Sequence, residues 1–282
     1  PWGPGFPGWH LECSAMATKY LGQPFDIHAG GIDLLFPHHE CEIAQAQAAY
    51  NAPLAQYWLH NNLITIDGKK MGKSLGNFIT LEALFSGTHA LLDQAYSPMT
   101  LRFFVLQAHY RSTLSFSLEA LKAAHKGYLR LIYGWKALNE LTYVADDTVA
   151  IDVNSVRQVQ RRCSDCHAAM NDDFNTAQVI AVLFDLLKPI QRLKSGTLPA
   201  AALGEVAFTQ LKETFTTILQ DILGLQARLE VPATALVDLL LELYGQAKAQ
   251  QQYDQVDKLR MRLKALGIAV QDTPQGVQWS YT

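Results

Sequence analysis

The chain has 282 residues, of which 49% are hydrophobic, 10% aromatic and 17% charged, enough apolar material for one or two sizeable cores and too much for intrinsic disorder. Its 23 Lys and Arg against 26 Asp and Glu leave a formal charge of −3, so no global positive field draws it to nucleic acid or anionic lipid, and any RNA contact must be local. No run of about 18 uninterrupted apolar residues occurs, which excludes an obvious membrane-spanning helix.

The opening Pro1-Trp2-Gly3-Pro4-Gly5-Phe6-Pro7-Gly8 lacks the charged-then-apolar layout of a signal peptide. Four cysteines, Cys13, Cys41, Cys163 and Cys166, are too sparse for a disulfide framework. A soluble cytoplasmic chain with reduced thiols is expected. Because a Gly/Pro-rich segment runs straight into a His, Cys and Glu cluster with no strand before it, a piece of a larger protein is expected as well.

Seven of the nine histidines (His10, His28, His38, His39, His60, His89 and His109) fall before residue 117, so chemistry is sought there. That half reads as mixed α/β. Phe25 to His28 predicts a strand ended by Ala29-Gly30-Gly31, Glu40 to Tyr50 a helix, and Leu63 to Ile66 a strand ended by Asp67-Gly68. After Ser117 the period becomes helical, with Leu118, Leu121, His125, Tyr128, Ile132, Trp135 and Leu138 at three- and four-residue steps. Further helices are predicted over Val153 to Met170, Thr176 to Leu193 and Leu203 to Leu223, the last stopped by Gly224. A final unit has helices around Ala233 to Gln250 and Asp254 to Leu266, then Gly267 and two short strands across Pro274-Gln275-Gly276.

Cys13, His38, His39, Glu40, Cys41 and Glu42 offer thiolate, imidazole and carboxylate, all of which zinc accepts. On a helix beginning after Pro37, His38 and Glu42 are four apart and share a face, while His39 and Glu40 point elsewhere. Cys13 then supplies a third ligand from a separate strand end. The alternative is a solvated Glu42 with the other groups as polar packing. Lys69-Lys70-Met71-Gly72-Lys73-Ser74-Leu75-Gly76-Asn77 sets cations and glycines in a loop suited to polyphosphate, without Walker spacing. A solvated basic turn is its alternative.

These residues resemble the bacterial cysteinyl-tRNA synthetases, class I aminoacyl-tRNA synthetases. The resemblance is carried by Pro7-Gly8-Trp9-His10-Leu11-Glu12-Cys13-Ser14-Ala15-Met16, similar to a zinc-cysteine strand, and by Phe25-Asp26-Ile27-His28-Ala29-Gly30-Gly31-Ile32-Asp33-Leu34 with Phe36-Pro37-His38-His39-Glu40-Cys41-Glu42. The lysine loop is similar to the Lys-Met-Ser-Lys-Ser motif. Leu101-Arg102-Phe103-Phe104, Ala108-His109-Tyr110-Arg111-Ser112, Met170-Asn171-Asp172-Asp173-Phe174-Asn175-Thr176 and Asp272 to Trp279 extend the resemblance along the chain.

The fold so implied is α/β plus α: the C-terminal half of a Rossmann-like class I catalytic domain over 1–112, an antiparallel helical bundle facing tRNA over 113–228, and a small C-terminal helix-hairpin unit near the anticodon over 229–282. The resemblance implies zinc held by Cys13, His38 and Glu42, with the metal binding the thiolate of substrate cysteine. Soft thiolate suits zinc where a serine hydroxyl does not. It further implies Trp9 and His28 flanking the amino-acid pocket, Gly30, Gly31 and Asp33 at adenosine, and Lys70 and Lys73 stabilising the transition state on ATP with its Mg2+. The partners are tRNA(Cys), L-cysteine and ATP, with no membrane, and the chain a monomer.

Gly72 in place of the motif's Ser, Ala29 in place of a Gly and Cys41 in place of an Asn remove none of these ligands, and Cys41 is taken as a bystander. No His-x-Gly-His occurs, so the chain alone is expected to be inactive. Cys163-Ser164-Asp165-Cys166-His167 has haem-attachment spacing but lies mid-helix, where surface or semi-buried thiols are expected. Arg161, Arg162, Lys258, Arg260, Arg262 and Lys264 are candidate phosphate contacts, and Trp279 is a base-stacking or core aromatic. The alternatives are a cysteine ligase of mycothiol synthesis and a non-catalytic zinc-containing RNA-binding module.

Overall fold

The computed structural model describes residues 3–226, 233–265, 268–273 and 276–281, in two compact units, Pro1–Ala227 and Arg228–Thr282. The first element is a helix, α1 (Trp9–Leu21), where a strand carrying Cys13 was expected. The segment has a single β-branched residue, Thr18, and a Gly at each end. Gly8 is extended at the N-cap, and Gly22, at φ 80, donates its N–H to the Thr18 carbonyl, so propensity and capping both favour helix.

β1 (Phe25–Gly31) and β2 (Ala55–Asn61) form a two-stranded parallel sheet, with α2 (Glu40–Tyr50) between them in sequence. Its register sets His28 opposite Trp58 and Gly30 opposite His60. A second sheet has the order β4-β3-β5. β3 (Ile64–Ile66) turns antiparallel into β4 (Lys69–Lys70) through Asp67 and Gly68, both at positive φ as a tight hairpin requires, and runs parallel to β5 (Leu114–Phe116). Two short helices, α3 (Leu81–Ser86) and α4 (Pro98–Leu106), lie between β4 and β5 in sequence.

The bundle follows as α5 (Leu118–Glu140), α6 (Val153–Asn171), α7 (Thr176–Lys194) and α8 (Ala200–Thr216), the last continued by a wider helical turn over Thr217–Ile222. Side-chain caps start three of them: Ser117 accepts from Ala120 N–H, Asp152 from Ser155 N–H and Asn175 from Gln178 N–H. One continuous core runs from Ile66, Phe103, Phe104 and Phe116 into Leu121, Leu131, Leu183 and Phe215 of the bundle. It includes no residue of β1 or β2. Cys163 and Cys166, expected at or near the surface, are 1% and 0% exposed in it, because the apolar stripe of α6 passes through Val159, Cys163 and Cys166.

The second unit pairs α9 (Ala233–Ala249) and α10 (Tyr253–Ala265) with an antiparallel hairpin of β6 (Ile268–Thr273) and β7 (Gly276–Tyr281). Tyr244, Ala247 and Val256 are buried in one cluster and Leu263 and Ile268 in another. The side chains of Lys264 and Trp279 lie outside the described residues.

Candidate metal centre

Glu42, in the first turn of α2, is completely buried. Its Oε2 is 2.8 Å from His28 Nε2, which reaches in from β1. Its Oε1 lies 2.8 Å from His38 Nε2 yet has no hydrogen-bond partner of acceptable geometry. An ionised carboxylate in that position is costly unless a cation or donor meets it. Cys13 of α1 supplies the third group: one ligand atom each from Cys13, His38 and Glu42 lies within 4.8 Å of the others. The three residues expected to bind zinc are therefore brought together, and an orphaned buried carboxylate oxygen beside a thiol and an imidazole fits a borderline-soft divalent ion. Burial, with the Glu42 and Glu12 charges behind it, raises the Cys13 thiol above its ordinary value, and a bound cation would oppose that shift.

His39 does not point elsewhere. It is 2% exposed and forms a second group with His28 and Glu42 within the same 4.8 Å. The α-helix spans Glu40–Tyr50, as predicted, but does not extend back to Pro37: Leu35–His39 form a wider turn whose spacing does not separate successive side chains as an α-helix would. Nδ1 of His39 is 2.7 Å from Nε2 of His60, on β2. Burial, and then the neighbouring His28, His60 and His38, push His39 down to about 4, so it is neutral at neutral pH. Gly30 permits this packing, since a Cβ there would stand 2.8 Å from His39 Cε1. Trp9 packs on His38 at 4.4 Å, while its own ring stays largely exposed. Asp33, in the short turn Ile32–Leu34 after Gly31, is exposed. Cys41 belongs to neither ligand group.

His60 and Trp58 were missed in the sequence. Trp58 packs on both His28 and His39, at 4.6 and 5.0 Å. Their signal was the aromatic-rich run Tyr57-Trp58-Leu59-His60, which reads as a strand.

The lysine loop is better held than its glycines suggest. Asn77 accepts from Gly72 N–H at 2.9 Å and donates to the Lys70 carbonyl at 3.1 Å. Lys70 and Lys73 are exposed, with Lys73 Nζ 5.7 Å from the Phe78 ring. Among the described residues no hydrogen bond or ion pair joins either lysine to the metal cluster. Of the candidate phosphate contacts, Arg162 is engaged by Asp165 and Asp185, each at 3.1 Å. Arg260 bonds the Tyr244 hydroxyl at 2.6 Å, and Lys258 and Arg262 border a groove of about 410 Å³. A cavity of about 770 Å³ is walled by Ile27, Ile32, Tyr57, Arg111 and Phe174 and meets the cluster through Trp58 and His60.

Residues 1–126 match the family described as tRNA synthetases class I (C) catalytic domain, and residues 166–227 match the DALR domain. A cysteine--tRNA ligase of Cytophaga hutchinsonii is 54% identical over 281 residues, covering 100% of this chain and 56% of the relative. Over its whole length the chain matches cysteine--tRNA ligases. Another cysteine--tRNA ligase, from Bacteroides thetaiotaomicron, is 50% identical over 285 residues, 99% of this chain and 56% of that protein. The chain thus spans little more than half the length of these cysteine--tRNA ligases. Thermus thermophilus arginyl-tRNA synthetase shares the fold at a TM-score of 0.54 and 11% identity, over 79% of this chain and 49% of that one.

Proposed function

We propose that the chain carries the metal-binding part of the catalytic domain and the tRNA-facing part of a cysteine--tRNA ligase, an enzyme that activates cysteine with ATP and passes it to tRNA(Cys). The observation that carries this is the convergence of Cys13, His38 and Glu42 on one point, with Glu42 Oε1 buried and orphaned, in a chain half identical to proteins of that name. In this reading Cys13, His38 and Glu42 hold zinc, which supplies a soft site for the substrate thiolate and so separates cysteine from serine.

Placement supports the remaining roles in this reading. Trp9, exposed over His38, and His28, at Glu42, border the amino acid. Gly30 and Gly31 end β1 where adenosine would lie, and the exposed Asp33 just beyond them would meet one of its hydroxyls. Lys70 and Lys73 extend from a loop pinned by Asn77, where they balance charge on the phosphates of ATP and its Mg2+. Residues 1–112 form the catalytic portion, 113–228 the tRNA-binding bundle and 229–282 the anticodon-proximal unit of a cytoplasmic, monomeric enzyme. The chain alone does not form cysteinyl-adenylate, since its residues include no His-x-Gly-His and span 56% of the relatives.

The test is charging of tRNA(Cys) by this chain joined to the portion of the relatives that it does not span, with serine as the control amino acid. Charging with cysteine alone is expected from the joined protein and none from the chain by itself. Activation without transfer would favour the mycothiol-type ligase instead.

A further inference from the structure

The turn between α6 and α7 holds two consecutive non-glycine residues in the left-handed region, Asp173 at φ 55 and Phe174 at φ 53. Aspartate visits that region more readily than most residues and phenylalanine does not, so the surroundings must hold the turn. The Asp173 carboxylate shows how. It accepts from the Tyr110 hydroxyl at 2.7 Å and pairs with Arg111 Nη2 at 2.7 Å, with His109 Nε2 at 3.7 Å. Just past the turn, the Thr176 hydroxyl donates to the Leu106 carbonyl at 2.8 Å. One acidic residue of the bundle thus grips three successive side chains of the segment leading from α4 to β5.

That same segment meets the end of β2 through its backbone. Asn62 donates its N–H to the Tyr110 carbonyl at 2.8 Å and its side-chain amide to the Arg111 carbonyl at 3.0 Å. Asn62 stands two residues beyond His60, which is bonded to His39 in the buried cluster. A line of directed contacts therefore leads from the strained turn to the imidazoles. An isolated ion pair as exposed as Arg111 with Asp173 contributes little. Here the carboxylate uses both oxygens, on a backbone that is unfavourable without them.

We propose that Asp173 is a positioning residue: by gripping Tyr110 and Arg111 it fixes Asn62, and with it the placement of His60 against His39. The inference rests on the function proposed above only for the importance of the cluster itself. The test uses the whole chain with 15N-labelled histidine, reading the ring resonances of His39 and His60 at one pH and hydrogen exchange of the Asn62 amide. Asp173→Asn tolerates the left-handed backbone and still accepts from Tyr110, but loses the charge facing Arg111, whereas Asp173→Ala loses both.

The expected result is displaced His39 and His60 resonances and roughly tenfold faster Asn62 exchange in Asp173→Ala, with Asp173→Asn and Tyr110→Phe intermediate. A lowered Tm with both readouts unchanged would make Asp173 a turn-stabilising residue only and overturn the proposal. Should Asp173→Ala fail to fold, the other two variants decide the same question. Charging by the joined enzyme is independent of these readouts, so its failure would remove the synthetase assignment and leave the positioning result standing.

Discussion

Glu42 decides the chemistry at the scale of single residues. A carboxylate with no exposure and one orphaned oxygen is tolerable where a cation completes its surroundings. Glu42→Gln keeps the shape and removes the charge, so zinc affinity is expected to fall by at least about 100-fold, as loss of a ligand exceeds the 10- to 100-fold typical of outer-shell changes. Cys13→Ser should act as strongly and should also abolish the sulfur-to-metal charge-transfer band of the cobalt-substituted protein, whereas Cys41→Ser should leave both unchanged. Equal losses in Cys41→Ser and Cys13→Ser would show that the wrong thiol has been assigned. The convergence of Cys13, His38 and Glu42 was legible in the sequence from ligand type and from the four-residue step between His38 and Glu42. His39 and His60 were not, because one depends on a widened turn and the other on a parallel register between strands about 30 residues apart, neither of which has a local signature.

Among the elements, three helices of the bundle matched their sequence pattern nearly to the residue, since an apolar stripe and a polar cap coincide, as at Ser117 with Leu118–Glu140, whereas α8 starts at Ala200 rather than Leu203 and gives way to a wider turn at Thr217. α1 was missed because a short segment flanked by Gly and Pro carries little periodicity, and its helical character lies in propensity and in its glycine caps. Gly224, expected as a stop, is needed for more than that. It sits at φ 63, and a Cβ there would stand 2.8 Å from Arg102 Nη2, whose guanidinium donates through Nε to the Leu223 carbonyl at 2.6 Å. Gly224→Ala is therefore expected to cost about 1 to 3 kcal/mol, combining left-handed strain with displacement of that guanidinium. Urea unfolding measures it, and a change below about 0.5 kcal/mol would mean that the Arg102 anchor contributes nothing.

On the scale of the whole molecule, the four cysteines report on one unit only, since residues 228–282 contain none. Cys163 and Cys166 are buried in the bundle, and burial pushes the Cys166 thiol up to about 12, with Cys163 and Asp165 adding to the rise. Between about pH 9 and 12 the unfolded chain has lost a proton that the folded bundle keeps, so stability is intact below pH 9 and falls as pH rises, by up to about 1.4 kcal/mol per unit for this one group. Cys166→Ala removes the titrating group at the price of a small cavity, and its unfolding free energy should be flatter than the parent's from pH 9 to 11. Alkylation checks the same burial kinetically. Cys13 and Cys41 should react in the native protein, and Cys163 and Cys166 only as the first unit unfolds. Native-state labelling of Cys166 at the rate of Cys41 would contradict the packing of α6 against α7 and α8, and with it the continuous core that joins the bundle to β3 and β5.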